Sequence, residues 1–155
     1  MSKSVARVRA AATAAGLPVE IIEMPGSTRT AEDAAAACGC TVAQIVKSMI
    51  FAASDGTLRL LLTPGDRQVD PALAESGFGV SLSRADPDQV RTVTGFAIGG
   101  VSPIGHLTPV ICAMDPELMA HAQVWAAAGT PRHVFSAVPE DLRRASAATL
   151  MPFTR

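Results

Sequence analysis

Two stretches of this chain hold residues of types and spacing suited to chemistry. The first is Gln44-Ile45-Val46-Lys47-Ser48-Met49-Ile50-Phe51, an apolar run broken by one lysine. Burying an ammonium without a partner is costly, so Lys47 needs an internal acceptor, a route to solvent, or a task. As a task, an ammonium suits the stabilisation of a carbonyl, carboxylate or phosphate oxygen, because it is compact and approaches from several directions. As an edge residue, the same lysine would snorkel to water and blunt strand pairing. The residues alone leave both readings open.

The second stretch is Gly95-Phe96-Ala97-Ile98-Gly99-Gly100-Val101-Ser102-Pro103-Ile104-Gly105-His106. Paired glycines let backbone amides turn inward and let the chain approach a ligand closely. The alternative is a tight structural loop. The spacing is not the Gly-x-Gly-x-x-Gly of dinucleotide binding, and no Gly-Lys-Ser or Gly-Lys-Thr follows as in a phosphate loop. His106 ends the segment as a candidate proton shuttle or a structural histidine; His121 and His133 carry less signal. Ser102 lacks the Gly-x-Ser-x-Gly setting of a nucleophile elbow. Cys38 and Cys40 are too close together, and too isolated, for a zinc site.

The elements that must position these residues follow from periodicity and caps. Val5, Val8 and Ala12 recur at helical spacing before Gly16, and 17–23 reads as a strand. Thr30 and Asp33 open an alanine-rich helix to about Cys38, and Gly39 ends it. Thr41 and Gln44 open a short helix, which places Lys47 at a helix-to-strand junction. Residues 48–53 and 57–63 flank the Ser54-Asp55-Gly56 turn as a hairpin. Within it, Lys47, Met49 and Phe51 share one face, and Ser48 and Ile50 the other. Asp70-Pro71, Asp86-Pro87, Asp115-Pro116 and Pro139 open further helices. Residues 78–82, 109–114, 124–127 and 133–137 read as strands. This irregular alternation predicts an α/β fold of the α+β type, a mixed sheet with flanking helices, in a single domain over 1–155.

Composition limits the function classes. The 155 residues are 48% apolar and 17% charged, which suits a packed core. The net charge of −1 supplies no global field for nucleic acid, so such a ligand would need a local patch. Three cysteines and no visible signal peptide or spanning helix predict a reduced, cytoplasmic protein.

The Val46-Lys47-Ser48 junction and the Gly-Phe-Ala-Ile-Gly-Gly-Val-Ser-Pro-Ile-Gly-His segment, in this order along the chain, resemble the YbaK/EbsC family. That family includes free-standing aminoacyl-tRNA deacylases and the editing domain inserted in bacterial prolyl-tRNA synthetases. The resemblance spans about 6–142. It implies a curved, barrel-like mixed sheet and hydrolysis of the ester joining a wrong amino acid to tRNA, without metal, cofactor or protein nucleophile. It implies Lys47 as the catalytic lysine, to which the reading above adds His106. Thr30, Ser48, Gly99, Gly100, Val101, Ser102, Pro103, Gly105 and Gly129 are then expected to bind substrate. The implied partners are the acceptor end of a mischarged aminoacyl-tRNA, tRNA-Pro first, and an aminoacyl-tRNA synthetase, with no membrane and no DNA. A binding module of the same fold without hydrolysis is the alternative. Two positions depart from known branches: Ser48 stands where the alanyl-editing branch has Asn, and Gly129-Thr130-Pro131-Arg132 lacks the Gly-x-Arg-Gly of the cysteinyl branch. Alanine, serine, threonine and cysteine esters all fit the resemblance.

Overall fold

The computed structural model describes residues 2–155. Its first helix, α1 (Lys3–Ala14), starts where the Ser2 hydroxyl accepts the Val5 N–H at 3.0 Å. It buries Val5, Val8 and Ala12, the stripe the sequence predicts. The following apolar segment forms only a two-residue strand, β1 (Ile22–Glu23). Leu17 is in the core, and Val19 and Ile21 pack against it. The apolar residues of 17–23 therefore mark packing more than ladder pairing. Helix α2 (Ala31–Cys38) is capped by Thr30, whose hydroxyl accepts the Asp33 N–H at 3.1 Å. Gly39, at φ 69°, ends it in the left-handed conformation that glycine adopts without strain.

The Thr41–Gln44 pattern produces a 3₁₀ turn over Val42–Gln44, and the chain then enters β2 (Val46–Ala53). Strand β3 (Leu58–Pro64) returns antiparallel, with Lys47 opposite Thr63. All of β3 is buried. Leu60 and Leu62 enter one core and Leu61 another, which explains a continuous rather than alternating apolar run. Asp70 caps α3 (Pro71–Phe78), and Gly79 at φ 71° stops it. The predicted strand at 78–82 is displaced accordingly: Phe78 closes the helix, and β4 covers Leu82–Arg84. Helix α4 (Pro87–Thr94) leads into the glycine-rich segment.

Strand β5 (Ile111–Met114) runs parallel to β3. The helix expected after Asp115 is a 3₁₀ run, Pro116–Ala120. Asp115 is buried, and its carboxylate accepts from Glu117 N at 3.0 Å, from Phe153 N and Thr154 N at 3.2 Å each, and from Thr154 Oγ1 at 2.9 Å. Strands β6 (Val124–Ala127) and β7 (His133–Ala137) match their predicted spans. Helix α5 (Pro139–Ser146) and a strand the sequence reading missed, β8 (Thr149–Leu150), complete the order.

The architecture is mixed α/β. Among the described residues the strands form two sheets, β1-β7-β6 and β4-β2-β3-β5-β8, not closed into a barrel. The single barrel-like sheet is not what the strands form: two sheets share the main core and are joined by a parallel bridge, Ile45 to Trp125. Val46, Leu60, Leu62, Phe135 and Ala126 join Val8 and Ala12 of α1 in the main core. The register leaves an opening. Strand β4 pairs with β2 only over Phe51–Ala53, and β6 meets the chain at Ile45. Between these points, neither neighbouring strand covers the outer edge of β2.

Candidate active site

A two-lobed groove lies over that uncovered edge. The first lobe, about 220 Å³, is walled by Thr30, Ala31 and Ala34 of α2, by Ile45 to Met49, and by Trp125 to Ala127 of β6. The second lobe, about 450 Å³, continues toward β4 along Phe51, Val69, Pro71 and Leu82 to Ala85. Ser48, Met49, Ile98, Gly99 and Val101 line both.

Lys47 lies in the first lobe, and its Nζ donates to the Arg67 carbonyl oxygen at 2.7 Å. An ammonium has three N–H donors, so two remain for another partner. The acceptor lies in a loop that is itself fastened. Arg67 N donates to Pro64 O at 3.0 Å, and Arg155 N donates to Gln68 O at 3.0 Å. The predicted facing holds: Ile50 packs against the main core, and Phe51 against the second. Ser48 Oγ is buried without a hydrogen-bond partner among the described residues. Such a group costs roughly 1–3 kcal/mol unless something supplies the bond, so its place in the shared floor marks it for a ligand or a water.

The glycine-rich segment divides in two. Ile98, Gly99 and Val101 line the groove. Gly99 has φ 96°, and a Cβ there would stand 3.4 Å from the Arg29 side chain, which also lines the first lobe. All the remaining residues but Ala97, which is exposed, face inward. A Cβ on Gly100 would stand 2.8 Å from Thr130 Cα, one on Gly105 3.2 Å from the α1 backbone, and one on Gly129 2.9 Å from Ser4. Ser102 and Pro103 are buried, and Ser102 Oγ accepts the Ile104 N–H at 3.2 Å. His106 Nε2 donates to the Ser102 carbonyl at 2.7 Å, and its ring stands edge-on to Phe96 at 5.9 Å. Burial holds His106 below the usual histidine range, opposed by the Ser102 bond and reinforced by the nearby Arg7 charge.

Of the residues expected from sequence, Lys47, Thr30, Ser48, Gly99 and Val101 therefore meet in the groove. Gly100, Ser102, Pro103, Gly105, Gly129 and His106 are not among its lining residues. Sequence reasoning missed Arg29, Arg84, Trp125 and the alanines of β6. The one available signal was Trp125 followed by three alanines: small residues on a strand leave space for something else to fill.

Other reactive side chains have structural settings. His133 Nδ1 meets Thr130 Oγ1 at 2.6 Å, and its Nε2 lies 3.4 Å from Glu23. Burial pushes the Cys38 thiol up to about 11 and that of Cys112 to about 12, so neither favours the nucleophilic thiolate. No cluster that could hold a metal ion occurs among the described residues, and none of their helices is long and apolar enough to cross a membrane.

The family model for the aminoacyl-tRNA editing domain matches residues 26–145, which includes Lys47 and the glycine-rich segment. The chain belongs to the aminoacyl-tRNA editing domain family. A solved structure of a proposed trans-editing enzyme for prolyl tRNA synthetase matches all of this editing domain and 99% of its own chain, at 41% identity and TM-score 0.94. YwhH of Bacillus subtilis, an uncharacterised protein, is 28% identical over 79% of this chain and 78% of its own length. The proline–tRNA ligase of Pelotomaculum thermopropionicum is 33% identical over 74% of this chain, which spans 20% of that enzyme. The resemblance to YbaK/EbsC proteins drawn from the two motifs is borne out. The editing fold also gives Lys47 its setting: a strand mouth beside a helix N-terminus, over a lobe walled by small residues.

Proposed function

We propose that this editing domain is a trans-acting deacylase of the cytoplasm, acting as one unit over 1–155. It hydrolyses the ester that joins a small wrong amino acid to the 3′ end of tRNA, tRNA-Pro first. The observation that carries this reading is the meeting of Lys47 and the unpartnered Ser48 hydroxyl at a lobe of about 220 Å³ walled by Ala31, Ala34, Ala126 and Ala127. A lobe of that size suits a small side chain. Its proportions favour no one of alanine, serine, threonine and cysteine.

In this reaction water adds to the ester carbonyl carbon, and negative charge develops on the carbonyl oxygen. The Lys47 ammonium stabilises that charge with its remaining N–H groups. Ser48 Oγ orients the water or holds the substrate's amino group. The carbon–oxygen bond to the ribose then breaks, and the ribose oxygen takes a proton relayed from the attacking water. The products are a free amino acid and a tRNA with a free 3′ hydroxyl. No His, Cys, Asp or Glu lines either lobe, so water and substrate groups carry the proton. His106 serves as a brace for the loop rather than as the acid or base.

One observation favours a second reading, a binding module without hydrolysis: the Lys47 ammonium is already engaged by the Arg67 carbonyl. Incubation with a panel of mischarged tRNAs separates the two readings. Release of free amino acid from tRNA-Pro carrying a small wrong residue is expected; binding without release would replace the first reading with the second. Lys47→Ala should lower the hydrolysis rate by roughly 10²–10³-fold, the cost of removing one oxyanion donor. Circular dichroism should stay unchanged. Full activity in this variant would remove Lys47 from the mechanism.

A further inference from the structure

Lys47 carries its charge on a flexible four-carbon stem, and an oxyanion donor acts well only when its direction is fixed beforehand. The Arg67 carbonyl is the one hydrogen-bond acceptor found for its Nζ among the described residues, at 2.7 Å. The direction of the remaining N–H groups therefore depends on where that carbonyl stands. Arg67 belongs to neither a helix nor a strand; it follows the turn that ends β3, on the way to α3. Its fixed position must come from another part of the chain.

The support is the C-terminal segment. Val69 bridges antiparallel to Thr154. On either side of that bridge, Arg155 N donates to Gln68 O at 3.0 Å and Asp70 N donates to Phe153 O at 2.7 Å. The segment is itself pinned by Asp115, which is 2% exposed. Its Oδ2 accepts Phe153 N, Thr154 N and Thr154 Oγ1. Covering Leu61 of β3 would need only the Phe153 ring, which is fully buried beside it. The buried carboxylate instead fixes the backbone at 153 and 154, where the segment pairs with 68–70. The 3₁₀ run after Asp115 reaches the same stretch again, with the Glu117 carboxylate 3.8 Å from the Arg67 guanidinium. A continuous path of hydrogen bonds thus runs from Asp115 through 153–155 to 68–70, one peptide from the carbonyl that Lys47 holds. Residues 151–155 lie outside the stretch matched by the family model, and neither they nor Asp115 line the groove.

We propose that the C-terminal segment 151–155 is a positioning element for Lys47, with Asp115 and Thr154 as the pair that locks it. Its effect on rate rests on the deacylase reading; its hold on Lys47 does not. The Lys47–Arg67 bond then aims the ammonium at the substrate rather than occupying it.

Lys47 and Lys3 are the two lysines of the chain, and Lys3 is exposed on α1. Brief acylation with acetic anhydride, read by mass spectrometry, gives the reactivity of one relative to the other. Asp115→Asn keeps the size of the side chain but leaves one oxygen for donors that now share two. Its Lys47:Lys3 labelling ratio should rise about 5-fold, the factor that the net contribution of one hydrogen bond commands. Thr154→Val removes only the Oγ1 bond and should raise the ratio about 2-fold; it decides the question if Asp115→Asn does not fold. Val90→Ala, a truncation in the main core on α4, should lower Tm and leave the ratio unchanged. On a mischarged tRNA, Asp115→Asn should lower kcat about 10-fold, with KM nearly unchanged, a part of the roughly 10²-fold that a 1 Å misplacement can cost. In the Lys47→Ala background the same substitution should lower kcat no further. An unchanged labelling ratio, or an equal loss of kcat in both backgrounds, would overturn the proposal. If the unaltered protein hydrolyses no mischarged tRNA, the deacylase reading fails by itself. The labelling ratio then decides alone: a rise upholds the hold of the segment on Lys47, and no change overturns it.

Discussion

Residues 97–101 and 102–106 are adjacent halves of one glycine-rich segment, and they meet different surroundings. The front half puts Ile98, Gly99 and Val101 into the groove, and Ile98 is 58% exposed. The back half is saturated. Ser102 is fully buried, His106 holds its carbonyl, and Gly105 lies against the α1 backbone. Arg7 of α1 stands behind this half, donating to Gly105 O at 3.4 Å, and also holds the start of the segment through Gly95 O at 2.6 Å. A glycine-rich run therefore has two separate uses here, one for approach to a ligand and one for approach to a helix. The same distinction separates two buried oxygens elsewhere. The Asp115 carboxylate receives four hydrogen bonds, whereas Ser48 Oγ receives none. A satisfied polar group points to structure, and an open one beside a cavity points to a ligand.

The largest expected difference between the halves comes from Gly105→Ala. Its φ of 85° is left-handed, and a Cβ would stand 3.2 Å from Arg7 O and Val8 Cα, neither of which moves without moving α1. Left-handed strain alone costs roughly 1–3 kcal/mol for a non-glycine residue. With the contact added, the expected loss is about 3 kcal/mol, a fall in Tm of roughly 10 °C by thermal unfolding. Deacylation per folded molecule should be unchanged well below that Tm. An unchanged Tm with lost activity would reverse the assignment of the two halves.

His106→Ala tests the back half more gently. It removes a buried hydrogen bond and the edge contact with Phe96, worth about 2 kcal/mol at neutral pH. Burial lowers the folded-state pKa of His106 below 6.5, so the unfolded chain binds the extra proton first. The stability that neutral His106 contributes is complete above pH 6.5 and declines as pH falls below it. Urea unfolding of the two proteins at pH 7.5 and pH 5.5 should show the gap between them narrowing at the lower pH. A gap of constant size would count against a histidine buried in its neutral form. Activity retained across pH 6 to 8 is expected of a brace, and its loss would return His106 to the chemistry.

This division explains what the sequence made readable. The Lys47 junction, the hairpin and the β6 and β7 spans depend on local apolar patterns and turn residues, and the structure reproduces them. Strand β8 has two residues and pairs only through Ala113 and Met114, a register no local pattern announces. The strand start at Leu82 was obscured by Phe78, an apolar residue that completes a helix. The groove was harder to foresee because α2, β2, β4, β6 and the 98–101 segment each supply part of its wall. Arg29 and Arg84 look like solvated surface arginines until those segments converge. Glycine count located the loop but not which side of each glycine is crowded. That depends on the position of α1, far away in sequence.

The smallest expected effect on stability belongs to the front half and is the sharpest test of it. Ile98 is one of the few large apolar side chains left exposed, and it stands where the two lobes join. Its burial in the free protein is slight, so Ile98→Ala should alter unfolding free energy by no more than about 0.5 kcal/mol. Its contact with bound substrate is another matter. Covering about 50 Å² of apolar surface on binding stabilises a complex by roughly 1 kcal/mol. KM for a mischarged tRNA should therefore rise about 5-fold while kcat is nearly unchanged, because the contact is equal in the bound and transition states. A loss of stability without a rise in KM would show that the front half is also scaffold. The contrast within the glycine-rich segment would then disappear, and only the Lys47 and Ser48 side of the groove would remain assigned to substrate.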